Sequence, residues 1–272
     1  MRTPITYYGG KQRLIPVLLD LLPPHKIYSE VFFGGGALFW AKEPSYLESI
    51  NDNNNNVVNF IEVLRKDYKR LKSLVDNTLF CETLFWNAFR IYCHPGRKSK
   101  TERAWAFWMV SNFSFSAKIG GGIKFSNGTH GTHPGRFMEH KKRDFTEQLM
   151  DRLKYVHVWC RDALTVIENR DTSETLFYLD PPYVDADMGH YKGYSSEDFN
   201  KLLEVISGIK GKFILSSYPN EDLERFVNQN GWNTHGIEMR LSAGHHRFGY
   251  RKKTEVITTN FVNVDLFSNL QH

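Results

Sequence analysis

Two consecutive prolines follow a short apolar segment late in the chain, and they constrain the fold strongly. Residues 176–179 read Leu-Phe-Tyr-Leu, an unbroken apolar run typical of a strand buried in a parallel sheet. Pro181 and Pro182 lack the backbone N–H that a sheet ladder needs, so the strand must end near Asp180. The sequence therefore predicts a buried strand whose carboxyl end carries the rigid turn Asp-Pro-Pro-Tyr.

Strand and helix patterns alternate on either side of a long central segment. Short β-rich runs alternate with helical spacing, which predicts an α/β fold built around a Rossmann-like, mostly parallel sheet. The predicted strands lie at 27–33, 46–50, 155–159, 176–179, 213–215 and 255–262. The predicted helices lie at 14–19, 37–42, 197–207 and 220–229.

The central segment interrupts this alternation and is mainly helical. Three helices are predicted between residues 56 and 115, a β-hairpin or loop around the Asn-Gly pair at 127–128, and basic helix over 136–153. We therefore predict a catalytic core of residues 1–55 and 155–272, with 56–154 as an inserted lobe.

Positive charge is concentrated in that inserted segment. Residues 97–154 hold 12 Lys or Arg and 5 Asp or Glu, whereas the remainder of the chain holds 23 basic and 25 acidic residues. A clustered positive field attracts polyanions and favours binding to a phosphate backbone, although a solvated basic surface would give the same count.

Several classes of protein are disfavoured by composition. The chain has no long apolar run and its first residues lack the pattern of a signal peptide, so we expect a cytoplasmic protein without a membrane partner. Three separated cysteines at 81, 93 and 160 indicate neither a disulfide framework nor a zinc site. The histidines lack metal-ligand spacing, so no metal is expected.

The Asp-Pro-Pro-Tyr turn carries the clearest chemistry. The Asp180 carboxylate and the Pro181 carbonyl are two acceptors on a stiff turn, which suits an exocyclic amine with two N–H donors. Tyr183 adds a flat face on which a base can stack. A turn that merely ends a strand, with the tyrosine in the core, is the alternative.

Three further segments have the residue types of a nucleotide-binding βαβ unit. Residues 30–36 contain the turn Phe-Phe-Gly-Gly-Gly, which admits a ligand close to the backbone or is only a tight connection. Asn51-Asp52 places an acid where ribose hydroxyls bind, or else caps the next helix. Residues 7–11, Tyr-Tyr-Gly-Gly-Lys, place an ammonium and an aromatic ring beside a ligand carboxylate, or form a mobile turn with a surface lysine.

In this order the segments resemble the Dam-type (alpha-group) DNA adenine-N6 methyltransferase family over nearly the whole chain. That family shows Tyr-x-Gly-Gly-Lys, Phe-x-Gly-Gly, an Asn-Asp pair, a helical insert and Asp-Pro-Pro-Tyr. The resemblance implies an S-adenosylmethionine-dependent methyltransferase sheet with a target-recognition lobe at 56–154 that carries the β-hairpin. It also implies a site-specific enzyme that flips adenine out of duplex DNA and methylates N6 by direct in-line transfer.

The resemblance assigns roles position by position. Tyr183 would stack on the flipped adenine while Asp180 and the Pro181 carbonyl accept hydrogen bonds from its amine. The catalytic residues implied are Asp180, Pro181, Pro182 and Tyr183. The cofactor-binding residues implied are Tyr7, Lys11, Phe32, Gly34, Gly35, Asp52, Asp162, Ala163 and Asp180.

Contacts to DNA are expected from the insert and from a second basic loop near 245–253. Residues 111–118 depart from the family's commoner Phe-Asn-Gly-Leu-x-Arg pattern, so no GATC target is inferred, and Glu30 stands where many relatives have Asp. The DNA-binding residues expected are Ser114, Lys118, Lys124, Arg136, Lys141, Lys142, Arg143, His246 and Arg247.

Other functions stay open at this point. An RNA or cytosine-N4 amino-methyltransferase would use the same two acceptors, although cytosine-N4 enzymes more often carry Ser at the position of Asp180. A catalytically decayed DNA-binding protein is a further alternative. A nicotinamide dehydrogenase would leave Asp-Pro-Pro-Tyr unexplained. The expected partner is double-stranded DNA, bound by a monomer or weak dimer of bacterial or phage origin, and a cognate restriction endonuclease stays open as a partner.

Overall fold

A computed structural model describes residues 1–7, 9–126, 133–183, 194–240 and 252–262 of the 272-residue chain. These residues group into two compact units. The first unit is Met1–Ile15, Gly34–Pro44 and Asp52–Cys160. The second unit is Pro16–Phe33, Ser45–Asn51 and the chain from Arg161 onward. The predicted insert, 56–154, lies within the first unit.

The described residues form eleven α-helices and seven strands. The strands are β1 (Ile27–Glu30), β2 (Leu47–Asn51), β3 (Val156–Trp159), β4 (Thr175–Leu179), β5 (Lys212–Ser217), β6 (Asn233–Arg240) and β7 (Lys252–Thr259). The helices are α1 (Ile15–Asp20), α2 (Ala37–Ala41), α3 (Asn55–Lys66), α4 (Tyr68–Asp76), α5 (Glu82–Cys93), α6 (Lys100–Phe113), α7 (Pro134–Arg143), α8 (Glu147–Arg152), α9 (Ala163–Arg170), α10 (Ser196–Ser207) and α11 (Glu221–Asn230).

The strands form one sheet in the order β3-β2-β1-β4-β5-β7-β6. Strand β1 pairs in parallel with β2 and β4, and β4 pairs in parallel with β5. Strand β7 runs antiparallel to both β5 and β6. The strand order reverses direction between β1 and β4, which is where an open α/β sheet binds its ligands.

Most predicted strands are confirmed, but the C-terminal edge of the sheet is different. The run at 176–179 forms the last four residues of β4, all five residues of which are buried. Strand β6 was not predicted because its sequence, Asn-Thr-His-Gly-Ile-Glu-Met-Arg, contains few apolar residues. It is an edge strand held by a long antiparallel pairing with β7, and such pairing needs little burial.

The helical part of the first unit contains four helices between residues 55 and 113, not the three predicted. The helix α6 packs against α3, α4 and α5, and Ser99 and Glu102 form a capping box at its start. The core of this helical part contains many aromatic side chains that are fully buried. The largest of these side chains are Phe60, Phe85, Phe107, Trp108, Phe113 and Phe145.

The predicted hairpin is only partly within the described residues. An antiparallel bridge joins Ser114 to Ile123, and the Lys124 amide donates to the Phe113 carbonyl. Residues 127–132 lie outside the described ranges. The predicted helix 136–153 is in fact two helices, α7 and α8, which are separated by residues 144–146.

None of the helices among the described residues is long and apolar enough to cross a bilayer.

Candidate cofactor and catalytic site

Asp180 lies directly after β4, at the centre of the second unit's sheet. In the β1–β4 pairing Glu30 stands opposite Tyr178. Asp180 lies two residues beyond Tyr178, at the carboxyl end of the strand pair where strand order reverses. The Asp180 side chain is half-buried, in contrast to the fully buried strand before it. This is the position that sequence reasoning expected for a reactive carboxylate.

Tyr183 contacts two side chains of the second unit, Glu255 and Tyr218, and Ser216 shares its hydrogen-bond acceptor. Its hydroxyl donates to Glu255 Oε1 at 2.7 Å, and Ser216 donates to the same oxygen at 2.6 Å. Its ring stacks on Tyr218 with centroids 3.7 Å apart and planes 13° from parallel. Burial, with the carboxylates of Asp180 and Glu255, raises the pKa of Tyr183 far above its usual value. The hydroxyl is therefore a permanent donor.

The Tyr183 ring is only 8% exposed. Stacking on a flipped base therefore requires that a group now covering the ring give way. Sequence reasoning did not find Ser216, Tyr218 or Glu255. The one available signal was an acid, Glu255, standing before the apolar pair Val-Ile in a predicted strand.

The remaining predicted residues of the second unit lie at strand ends and helix starts. The Phe32 ring meets Tyr194 edge-on, with centroids 6.3 Å apart. Asp162 is exposed and caps α9 by accepting from the Thr165 amide at 3.1 Å, and Ala163 begins that helix. Burial, together with the Asp198 and Asp162 charges, raises the pKa of Tyr194.

Asp52, in the first unit, is a buried carboxylate held by backbone donors. The Gly34 amide donates to Oδ2 at 2.7 Å, and the Asn54 amide donates to Oδ1 at 2.8 Å. Burial raises the pKa of Asp52 to about 6, and these two hydrogen bonds oppose the rise. Asp52 does not cap α3, because Asn54 does so by accepting from the Asn56 amide.

The glycine turn is shaped by Tyr7. Gly34 has φ of +49°, and a Cβ at this position would stand 2.9 Å from the Tyr7 ring. A Cβ at Gly35 would stand 3.1 Å from Tyr7 Cβ. Thr3 Oγ1 donates to the Gly35 carbonyl at 2.5 Å. The first unit thus brings together Tyr7, Gly34, Gly35 and Asp52, as their predicted common role requires.

Lys11 is a buried residue of the same unit, with a side chain that donates to the Gly9 carbonyl at 3.1 Å. It is therefore not the surface lysine of a mobile turn. The Gly10 amide donates to the Tyr7 carbonyl and closes the turn between them.

Asn51 is a second residue whose role the sequence did not reveal. Its Nδ2 donates to the carbonyls of Val31 and Arg161, and its Oδ1 accepts from the Arg161 amide. All three residues belong to the second unit, and Asn51 is buried. It ties the end of β2 to the chain after β1 and to the turn that precedes α9.

The predicted DNA contacts fall into three structural groups. Ser114 is fully buried, which argues against a direct contact to DNA because its hydroxyl cannot reach a groove in this conformation. Lys124 and Lys141 flank the Phe137 ring and donate to the carbonyls of Asn112 and Thr3.

The pKa of each lysine is lowered to about 8, mainly by burial; for Lys141 the charges of Lys124 and Arg2 contribute to the lowering, and Asp144 opposes it.

The third group lies on or near the surface. Arg136 and Arg143 are exposed on α7, beside a groove of 570 Å³ that is also lined by His133 and His140. Lys142 is half-buried and pairs with Glu139 at 2.9 Å. Lys118 is half-buried, and His246 and Arg247 lie outside the described residues.

A family model for D12 class N6 adenine-specific DNA methyltransferases matches residues 7–230, and the chain belongs to this family. The match spans the Tyr7–Lys11 segment, the glycine turn, the helical lobe and the Asp-Pro-Pro-Tyr turn. Membership implies S-adenosylmethionine as the cofactor and DNA as the substrate class. The observed sheet order and the family match together confirm the predicted Rossmann-like methyltransferase fold.

Solved structures with a similar chain course are more distant. A SAM-dependent methyltransferase from Agrobacterium tumefaciens has 10% identity and a TM-score of 0.40, over 91% of this chain and 59% of that one. A precorrin-6y C5,15-methyltransferase from Geobacter metallireducens has 7% identity and a TM-score of 0.37, over 91% and 85%. Likenesses this low are no basis for inferring function.

The donors and acceptors of the first unit fit this cofactor. Each Asp52 oxygen accepts one backbone hydrogen bond and retains a second lone pair, which two ribose hydroxyls require. The turn at Gly34 leaves no space for a side chain beside Tyr7. Among the described residues there is no cluster of metal-ligating side chains.

Replacing Gly34 by Ala tests the packing of Tyr7 on the turn. Both Gly34→Ala and Gly231→Ala place a Cβ on left-handed backbone, with φ of +49° and +65°, which costs about 1 kcal/mol or more. Only at Gly34 does the Cβ meet a side chain, because nothing lies within 4 Å at Gly231. We expect Gly34→Ala to lower the free energy of unfolding by about 1–3 kcal/mol more than Gly231→Ala, measured by urea denaturation. Equal losses would contradict the packing.

Proposed function

We propose that this protein is a Dam-type, site-specific DNA methyltransferase that transfers a methyl group to N6 of an adenine flipped out of duplex DNA. The observation that carries the proposal is the Asp180 turn, which follows the central strand of the sheet, within a chain of the D12 family. Flipping is needed because the amine of a paired adenine is inside the stack, and unstacking costs a few kcal/mol.

Asp180 and Pro181 orient the target amine. The carboxylate and the Pro181 carbonyl each accept one N–H, which turns the nitrogen lone pair toward the incoming methyl group. S-adenosylmethionine, when bound, would supply that methyl group from its sulfonium and become a neutral thioether, and the methylated amine would release one proton. Positioning and electrostatics provide the rate enhancement, since no covalent intermediate with the protein is required.

The cofactor would be held by residues from several turns. Asp52 would accept the ribose hydroxyls, Lys11 and Tyr7 would bind the methionine end, and the family resemblance assigns Asp162 to the adenine. Phe32, Gly34, Gly35 and Ala163 are the remaining residues that the family resemblance assigns to the cofactor. The adenine specificity is favoured over cytosine-N4 by the family match.

The basic face of α7 would bind the DNA backbone. Arg136 and Arg143 lie on one side of this helix, about two turns apart, and both are exposed. Guanidinium groups bind phosphate oxygens in a bidentate manner. Lys124 and Lys141 would stabilise this surface from inside the fold, because their ammonium groups donate to backbone carbonyls.

Asp180→Ala should abolish methyl transfer while binding of S-adenosylmethionine stays detectable by calorimetry. The variant loses the acceptor that orients the amine, and transfer of labelled methyl to duplex DNA measures the loss. Asp222→Ala, which removes a half-exposed carboxylate paired with Arg225 on α11, is the control and should keep full activity. Full activity of Asp180→Ala would overturn the assignment.

Asp52 should make cofactor binding dependent on pH. Its pKa of about 6 means that the carboxylate gains a proton as the pH falls through 6 and loses an acceptor site for ribose. We expect affinity for S-adenosylmethionine to be about tenfold weaker at pH 5 than at pH 7.5. Asp52→Asn should bind more weakly throughout and lose this component. An identical pH profile in the variant would contradict the role.

Arg136→Ala and Arg143→Ala should weaken binding to duplex DNA of any sequence. Each phosphate contact contributes about 0.9 to the slope of log affinity against log salt, so each variant should reduce the slope by roughly one unit. Arg225→Ala, which removes an exposed arginine on α11, is the matched control. Unchanged affinity and slope in both α7 variants would rule out this helix as a phosphate-binding surface.

A further inference from the structure

Glu255 is a buried carboxylate with no role in the chemistry described above. It is 1% exposed, a costly position for a charged group unless it is well hydrogen-bonded. One of its oxygens accepts from both Tyr183 and Ser216, at 2.7 and 2.6 Å. The charge is thus placed against the hydroxyl of the residue expected to stack on the target base.

The antiparallel strand β7 explains how Glu255 reaches this place. In the β5–β7 pairing, Ser216 stands opposite Ile257 and Ser217 opposite Val256. Because β7 runs against β5, its earlier residues lie toward the carboxyl end of β5, where ligands bind. A parallel strand would have placed its first residues at the opposite edge of the sheet.

Tyr218 restrains the same ring from its face. It follows β5 directly and stacks on Tyr183 with centroids 3.7 Å apart and planes 13° from parallel. Aromatic pairs in proteins more often lie with centroids 4.5–7 Å apart, offset or edge-to-face. A close parallel contact fixes the tilt of the Tyr183 plane, whereas the hydrogen bond to Glu255 fixes its rotation within that plane.

We propose that Glu255 and Tyr218 are positioning residues for methyl transfer, which act through Tyr183 by fixing the plane on which the flipped base stacks. This inference rests on the proposed function. A base stacked on a tilted ring would present its amine off the line between Asp180 and the methyl donor, and a small misplacement of reacting groups lowers rates steeply.

A competing interpretation of the same stack gives an opposite expectation. If Tyr218 occupied the face that the base needs, it would be a place-holder that must leave before the base binds. Its removal would then increase base stacking and the transfer rate. In our proposal its removal decreases both.

The experiment compares truncating and conservative variants of both residues. Single-turnover methylation of duplex DNA is measured at saturating cofactor, with cofactor affinity by calorimetry and base stacking by a fluorescent adenine analogue at the target position. We expect Glu255→Ala and Tyr218→Ala to lower the transfer rate by about tenfold or more, with cofactor affinity changed by less than about twofold.

The conservative variants separate geometry from bulk. Glu255→Gln retains an oxygen that accepts both hydroxyls, and Tyr218→Phe retains the stack, so each should keep the rate within about threefold of the wild type. Retained rates together with losses in the alanine variants support the positioning role.

A double-mutant cycle tests whether Glu255 acts through the Tyr183 hydroxyl. Tyr183→Phe removes the same hydrogen bond and keeps the ring, so it should lower the rate about as much as Glu255→Ala. Adding Glu255→Ala to Tyr183→Phe should then lower it little further. If urea denaturation shows that the Glu255→Ala variant is not folded, the rate of the Tyr183→Phe variant alone decides the role of Glu255.

Three results would overturn the proposal. These are an alanine variant at Glu255 that keeps the wild-type rate, a Tyr183→Phe variant that does so, and a Tyr218→Ala variant that methylates faster or stacks the base more. A wild-type protein that transfers no methyl group to DNA would instead overturn the proposed function.

Discussion

The parallel pairing of β1 with β4 is the constraint on which the rest of the structure depends. These strands are distant in sequence. They are adjacent because β2 and β3 are added on one side of β1, and the chain then returns to place β4 on its other side. Helices flank the strands on either side in sequence, and the carboxyl ends of β1 and β4 come side by side. Glu30 and Tyr178 face each other across this pair, and Asp180 lies just beyond it. Any change that weakens this pairing would separate the end of β1 from the Asp-Pro-Pro-Tyr turn that follows β4.

The second unit places buried acids near the Asp-Pro-Pro-Tyr turn and satisfies them with hydroxyl groups. Glu30 accepts from the Tyr28 hydroxyl at 2.6 Å, and Glu255 accepts from Tyr183 and Ser216. Hydroxyl donors satisfy a buried carboxylate without adding a positive charge. The local field therefore stays negative, which suits a reaction that delivers a methyl group from a cationic sulfonium to a neutral amine.

The first unit connects the N-terminal segment to the helical lobe through buried polar contacts. Asn112 is fully buried, donates to the Pro4 carbonyl and accepts from the Thr6 hydroxyl. Lys141 donates to the Thr3 carbonyl. Thr3 in turn donates to the Gly35 carbonyl. The N-terminal segment that carries Tyr7 is thus hydrogen-bonded to the helices α6 and α7 and to the glycine turn.

The sequence by itself determined the α/β class, the buried strand β4, the position of Asp180 and the basic character of the insert. It could do so because these depend on local patterns: proline cannot extend a sheet, apolar runs mark buried strands, and charge can be counted. The edge strand β6, the fourth helix of the lobe and the burial of Ser114 were decided only by tertiary packing. The same holds for the contacts of Glu255, Tyr218 and Asn51, whose partners are far away in sequence. No local pattern records which hydroxyl a buried carboxylate will meet, because that depends on strand order and direction across the whole sheet.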